Sequence, residues 1–357
     1  MTRIAFYAPL KAPTHPTPSG DREIARNLMR LLRDAGYDVV LASTLRSFDK
    51  SGDTALQEAA FAQAEAEMPG LLRELAEVDL WLTYHNYYKA PDLLGPRLSA
   101  ALGIPYLQIE STRALKRLDG PWDRYARAAH AAADQANAIF YFTEYDRYAL
   151  ERDRTGHQML VHLPPFLPFQ ALPSASDLRG PMLCVGMMRE GAKLASYRLV
   201  AEALQQVQQD WQLNIVGDGP ARPDVEALFG TFGPRVRFLG QLDRVALQEV
   251  YAHARLMIWP GVDEAFGMVY LEAQAAGVPV VAQDRPGPRA VLAPGAYPAP
   301  EDGPTALAHQ IDALLAVPDT LQQRAADVRA YVATHHLETS AAAILRRTIQ
   351  SVLEMSP

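Results

Sequence analysis

Cysteine is nearly absent from this sequence: Cys184 is the one thiol in 357 residues. It cannot form a disulfide within the chain, which fits a reducing compartment and excludes a disulfide-stapled secreted domain. Basic charge is not in excess either. A net charge of −7 argues against a general nucleic-acid binder, because contacts with a phosphate backbone need a basic surface. No apolar run approaches the roughly 18 residues of a membrane-spanning helix. The opening MTRIAFYAPL lacks the charged segment and apolar core of a secretion signal. No His, Cys and carboxylate cluster has metal-site spacing, and no Asp-x-Asp stands in a loop. The expectation is a cytoplasmic protein.

What is present suits two globular domains. Hydrophobic residues make up 49% and charged residues 21%, ordinary for a soluble chain. Short apolar runs alternate with helical segments. Arg3–Pro9, Asp38–Ser43, Asp79–Tyr84, Ile104–Glu110 and Ala138–Thr143 read as strands. Ile24, Leu28, Leu31 and Leu32 share one face of the first helix, which Gly36 ends. Pro69 is expected to divide the long helical stretch before Asp79. The proline-rich segment up to Gly180 has no period and reads as a linker. The alternation then restarts with strands at Met182–Gly186, Leu213–Gly217, Val236–Gly240, Arg255–Pro260 and Val278–Gln283. Strand–helix alternation implies parallel sheets covered on both faces. The expected organisation is an α/β domain over residues 1–160, a linker over 161–180, a second domain over 181–337 and a last helix over 338–357 that returns toward the first domain. Ligands sit beyond the carboxyl ends of such strands, so two doubly wound domains imply a cleft between those ends.

One stretch stands out: DEAFGMVYLEAQAAGVPVVA, Asp263 to Ala282. Apart from Glu272, no charge falls between Phe266 and Ala276. A carboxylate in such surroundings is costly unless something hydrogen-bonds it. Gly267 lies where a helix is expected to begin near Phe266, and the free N–H groups of a helix start suit phosphate. Glu264 and Glu272 suit hydroxyls, because a carboxylate accepts two hydrogen bonds at once. Phosphate, ribose and sugar hydroxyls occur together in a sugar nucleotide.

EAFGMVYLEAQAAGVPVVA closely resembles the E-x7-E motif of the family 4 retaining glycosyltransferases (glycosyl transferases group 1), which have the GT-B fold of two Rossmann-like domains. The resemblance implies that Glu264 contacts the transferred sugar, that the backbone of Phe266, Gly267 and Met268 holds sugar or phosphate, and that Glu272 binds the ribose. In VGMMREGAKLASY, Lys193 and Arg189 take the place of the cations that hold the diphosphate. The family usually reads G-R-L-x-x-x-K there, so Met187 occupies the arginine's place. Gly217 in NIVGDGP and the backbone around Phe238 and Leu239 correspond to segments near the nucleotide. Gly20 stands in the place of a glycine loop in the first domain, where many members carry two glycines. The family's usual active-site histidine is replaced by Glu110, and His85 ends the preceding strand; one of the two is expected to take over its contacts. Plainer readings exist for each: a solvated carboxylate, surface cations, core residues of a strand, a tucked-in loop histidine.

The basic run Arg113, Lys116, Arg117, Arg124 and Arg127 around Trp122 raises a peripheral contact with the inner face of a membrane or an anionic acceptor; a solvated face is the commoner outcome. The reading is an enzyme that moves a sugar from a UDP- or GDP-sugar to the hydroxyl of a glycan, lipid-linked or small-molecule acceptor. By resemblance it retains configuration and needs no bound metal. A sugar-nucleotide epimerase of the same fold, or a binding protein with altered catalysis, are the alternatives.

Overall fold

The computed structural model describes every residue except Pro18, His157, Ser356 and Pro357. It divides into two compact units. Unit 1 comprises Met1–Leu163 and the chain from Ala341 on; unit 2 is Pro164–Ser340.

Unit 1 is built on six parallel strands: β1 (Arg3–Tyr7), β2 (Asp38–Leu41), β3 (Leu80–Asn86), β4 (Tyr106–Ser111), β5 (Ala138–Tyr141) and β6 (Met159–His162). Their order is β2-β1-β3-β4-β5-β6. The interior strands are buried almost throughout, as expected where helices cover both faces. The helices are α1 (Gly20–Asp34), α2 (Thr54–Glu74), α3 (Gly95–Leu102), α4 (Asp123–Gln135) and α5 (Glu144–Arg152). Ser19 caps α1 by accepting from the Arg22 N–H, Asp21 and Glu23 sit in its first turn, and Leu28, Leu31 and Leu32 are buried.

Two elements differ from the expectation. Pro69 does not divide α2, which runs unbroken from Thr54 to Glu74. Gln57, Ala60, Ala64, Met68 and Leu71 are buried at three- and four-residue spacing on both sides of the exposed proline. Burial of that stripe offsets the ~3 kcal/mol a proline costs inside a helix. Residues 161–162, read as the start of the linker, belong to β6, which pairs with β5 from Ala138↔Met159 to Tyr141↔His162. It is a four-residue edge strand with no fully buried residue, so it lacks the apolar run that betrays interior strands.

Unit 2 has five parallel strands: β7 (Met182–Val185), β8 (Leu213–Val216), β9 (Val236–Gly240), β10 (Met257–Ile258) and β11 (Val280–Val281), in the order β11-β10-β7-β8-β9. Its helices are α6 (Ala192–Leu204), α7 (Arg222–Phe229), α8 (Arg244–His253), α9 (Met268–Ala275), α10 (Pro286–Arg289), α11 (Gly303–Ala316) and α12 (Pro318–His335). The last helix, α13 (Glu338–Met355), spans the boundary of the units; Ala341, Leu345, Ile349 and Val352 are its buried stripe. No helix of the described residues is long and apolar enough to cross a membrane.

Each sheet has a point where the strand order reverses: between β1 and β3 in unit 1, and between β7 and β10 in unit 2. A crevice opens beyond the carboxyl ends of the strands at such a point. His85 lies near the carboxyl end of β3 in unit 1, and Lys193 and Glu264 follow β7 and β10 in unit 2.

Candidate active site

In unit 2, β10 leads through buried Trp259 into a turn that ends at α9. The turn is pinned in its first half. The Tyr270 hydroxyl donates to the Trp259 carbonyl at 3.0 Å, and the Val262 N–H donates to the Ser196 hydroxyl of α6 at 3.1 Å. Two residues past Val262, Glu264 turns inward, its side chain 12% exposed. Lys193, in the first turn of α6, donates to Glu264 Oε1. Trp259 Nε1 donates to the same oxygen at 2.9 Å. The enclosed charge of Glu264 is therefore satisfied by the protein itself, by an ammonium and an indole N–H, and does not wait for a sugar hydroxyl. The Lys193 ammonium also lies 5.4 Å from the centre of the Trp259 ring, so one lysine, one glutamate and one tryptophan form a closed set.

The helix begins two residues after Phe266. Phe266 is buried, Gly267 has φ +80° and caps the helix from outside, and Met268 is its first residue. The N–H groups of the first turn thus open at Gly267 and Met268. Glu272, a turn further in, accepts from the Tyr251 hydroxyl at 3.2 Å. Burial pushes its carboxyl up to about 7, against Tyr251 and Arg244, which favour the charged form. Glu272 lines a cavity of about 250 Å³ together with Phe169, Pro173, Ser174, Arg244 and Tyr251. The Arg244 guanidinium lies over the Phe169 ring at 4.9 Å.

A carboxyl held near neutrality makes a prediction about stability. Its folded pKa is above the ordinary 4.5, so the stabilisation it contributes is whole below that value and lost as pH rises through about 7. Glu272→Gln removes the burden of the charge. Thermal unfolding should show the variant more stable than the parent at pH 8, by up to about 3 kcal/mol, and no more stable at pH 4. An equal difference at both pH values would contradict the assignment.

Arg189 is exposed in the loop between β7 and α6, four residues from Lys193. Gly217 closes the same wall. Its N–H donates to the Gly240 carbonyl at 2.8 Å, its φ is +137°, and a Cβ there would stand 1.9 Å from the Gly186 carbonyl oxygen. Gly217→Ala should therefore cost about 3 kcal/mol or more, a fall of several degrees in melting temperature. Gly20 is the contrast. It opens α1, and a Cβ there meets nothing within 4 Å, so Gly20→Ala should leave stability nearly unchanged. Phe238 packs its ring on Phe229 at 6.3 Å. Leu239 lines a second cavity, of about 420 Å³, with Leu183, Asn214 and Val250. Its side chain is thus on the sheet face beneath α8 rather than beside Glu272.

In unit 1, His85 near the end of β3 has φ +67° and Glu110 near the end of β4 has φ +59°. Two adjacent strands thus carry strained non-glycine residues at their carboxyl ends, where strain is typically stored at functional sites. His85 Nδ1 lies 3.3 Å from Asp21 in the first turn of α1 and 3.7 Å from Glu110. Asp146, in the first turn of α5, completes the group. Burial disfavours the imidazolium, but Glu110, Asp21 and Asp146 outweigh it, and the ring's pKa lies above its ordinary value. Burial raises Glu110, with Asp146 and Asp21 adding repulsion. The His85 ring beside it lowers Asp21.

Sequence reasoning missed four of these side chains. Trp259 and Tyr251 sit in segments that read as plain core, and no local pattern singles out Asp21 or Asp146. The side-by-side order of β1, β3, β4 and β5, which a sequence does not print, brings the two acids to His85 and Glu110. The basic run around Trp122 does not form one face. Arg113 is buried against Asp134, Arg127 pairs with Asp123 and Asp119, and Arg124 covers Phe61 at 4.0 Å.

Comparison with known proteins agrees with this geometry. Residues 180–317 match the family Glycosyl transferases group 1. A GDP-mannose-dependent alpha-mannosyltransferase of Mycolicibacterium smegmatis is 39% identical over 92 residues, which cover 26% of this chain and 24% of that one. The alpha-D-kanosaminyltransferase of Streptomyces kanamyceticus is 27% identical over 223 residues, 56% of this chain and 57% of that one. The matches thus span about a quarter to just over half the length of these curated relatives. Among solved structures, the sucrose-phosphate synthase of Thermosynechococcus elongatus superposes with a TM-score of 0.72 at 19% identity, covering 100% of both chains; at that identity the likeness concerns fold. Residues 180–317, in the second unit, thus form a domain like that of the family Glycosyl transferases group 1, and the fold of the chain is that of the GT-B glycosyltransferases, two Rossmann-like units.

Proposed function

We propose that the protein transfers a sugar from a nucleoside diphosphate to an acceptor hydroxyl with retention of configuration, in the synthesis of a polysaccharide or glycoconjugate. The observation that carries this reading is the Lys193–Glu264–Trp259 set at the strand-order reversal of unit 2. A cation and a carboxylate fixed beside a helix start suit a ligand that is anionic at one end and hydroxylated at the other.

The roles follow from the chemistry. In the transfer the bond from the anomeric carbon to the diphosphate oxygen breaks, and a bond to the acceptor oxygen forms. The acceptor proton passes to the departing phosphate. Negative charge grows on the diphosphate, and Lys193, Arg189 and the N–H groups at Gly267 and Met268 are the groups to stabilise it. Glu264 accepts from the hydroxyls of the sugar, and Glu272, with the adjoining cavity, accepts from the ribose. Charge stabilisation then needs no metal ion. His85 and Glu110 serve the acceptor side in unit 1. UDP is the donor base favoured by the family's commonest usage, with GDP, named for one relative, the other candidate. A cytoplasmic location, with peripheral contact at a membrane's inner face, fits an acceptor carried on lipid.

The test is direct. The protein is screened by thermal shift against a panel of nucleoside diphosphates and their sugars, since a ligand that binds only the folded state raises the melting temperature. The stabilising donor is then incubated with candidate acceptors, and the anomeric configuration of the product is read by NMR. An inverted product, or epimerisation of the donor without transfer, would replace this reading.

A further inference from the structure

We infer that unit 1 carries an anion site for a phosphoryl group, built from Lys89, Arg117 and Trp122. The inference stands on unit 1 alone and does not need the donor reading. Tyr88 and Trp122 meet edge to face, their ring centres 5.7 Å apart. Two cations share these two rings. The Arg117 guanidinium lies 4.9 Å from the centre of Tyr88 and 5.1 Å from that of Trp122; the Lys89 ammonium lies 5.7 Å from each. Among the described residues neither cation has a carboxylate within ion-pair distance; Asp119 and Asp123 pair with Arg127, and Asp134 with Arg113.

A second observation points the same way. Arg117 Nε and Trp122 Nε1 are enclosed and have no acceptor in the protein. Enclosed donors are nearly always satisfied, and one that is not marks a missing partner such as an ion. Here two such donors and two unneutralised cations converge on one pair of rings. A phosphoryl group carries the charge and the several acceptor oxygens that this set lacks. The arginine fork grips two oxygens at once and the ammonium a third. The rings also connect the place to the acidic cluster: Tyr88 lies 5.6 Å from Tyr87, and Tyr87 4.6 Å from His85. A ligand anchored by its phosphoryl group at Arg117 would reach along the rings toward His85. A phosphomonoester on a small acceptor and the phosphate of a lipid headgroup offer the same chemistry.

The experiment has two arms. In the first, inorganic phosphate and glycerol 3-phosphate are titrated calorimetrically into the full chain at low ionic strength, in the parent and in Lys193→Ala, which silences the loop proposed to hold a diphosphate. In the second, the protein is sedimented with phosphatidylcholine vesicles with and without about 20 mol % phosphatidic acid. The site predicts binding that survives Lys193→Ala, weakens at least ~10-fold in Arg117→Gln and in Lys89→Gln, and weakens about threefold in Trp122→Phe, which keeps a ring and removes the N–H. Lys116→Gln, an exposed neighbour, is the control and should change binding less than about twofold. Binding in the first arm identifies a soluble phosphorylated ligand, and binding confined to the second a headgroup. No binding in either arm overturns the inference. So does binding that Arg117→Gln and Lys89→Gln leave intact while their melting temperatures match the parent, or binding that Lys116→Gln reduces equally.

Discussion

Lys193→Ala should lower kcat/KM for sugar transfer by about 100- to 1,000-fold, ~3–4 kcal/mol of transition-state stabilisation. Two effects combine. The variant removes a cation from the growing charge of the diphosphate, and it leaves Glu264 enclosed with the Trp259 N–H as its remaining bond among those that hold it. A double-mutant comparison separates them. Glu264→Gln neutralises the acid and keeps an acceptor oxygen for the indole. If Lys193 acts only as the counter-ion of Glu264, the double variant should recover to the level of Glu264→Gln. If Lys193 also carries leaving-group charge, the double variant should stay at or below the level of Lys193→Ala, while its melting temperature recovers. Rates within threefold of the parent in both single variants would remove the pair from the site.

How much of this was legible before the structure depends on what kind of signal a residue leaves. Glu272 stood out because charge is conspicuous in an apolar helix, Glu264 because it stands just before that helix, and the strands of both sheets because interior parallel strands are short continuous apolar runs. Trp259 and Tyr251 were illegible for the converse reason. An aromatic that packs and an aromatic that packs while donating one hydrogen bond look the same in a sequence. Asp21 was visible only as a favourable acid in the first turn of α1, a role it also fills. Its place beside His85 depends on β3 lying next to β1, a pairing between residues more than seventy positions apart. Pro69 misled because a single proline is a strong local signal, and the burial that overrides it is not local. Within the protein the two carboxylates are held differently: Glu264 accepts from Lys193 and Trp259, whereas Glu272 accepts from Tyr251 and is pushed toward its protonated form by burial.

The acidic cluster of unit 1 gives the second large effect. His85→Asn should reduce kcat/KM for the acceptor by about 100-fold while leaving the nucleotide binding proposed for unit 2 unchanged. Among the described residues the imidazole is the cation within ion-pair distance of both Asp21 and Glu110, with Asp146 also repelling Glu110 and Tyr84 and Tyr87 closing around them. Taking it away turns a balanced group into three crowded carboxylates, which hold protons more tightly and accept an acceptor's hydroxyl less well. The pH dependence carries the sign. His85 has a folded pKa above its ordinary 6.5, so the stability it contributes is whole below that value and lost as pH rises through the higher one. Melting temperatures of the parent and of His85→Asn should therefore differ most near pH 6 and draw together toward pH 9. The gap cannot come from Asp21, whose lowered pKa places its own contribution far to the acid side. A gap that stays constant from pH 5 to 9 would mean that the ring is not charged against these acids, and the acceptor role would then have to pass to Glu110 alone.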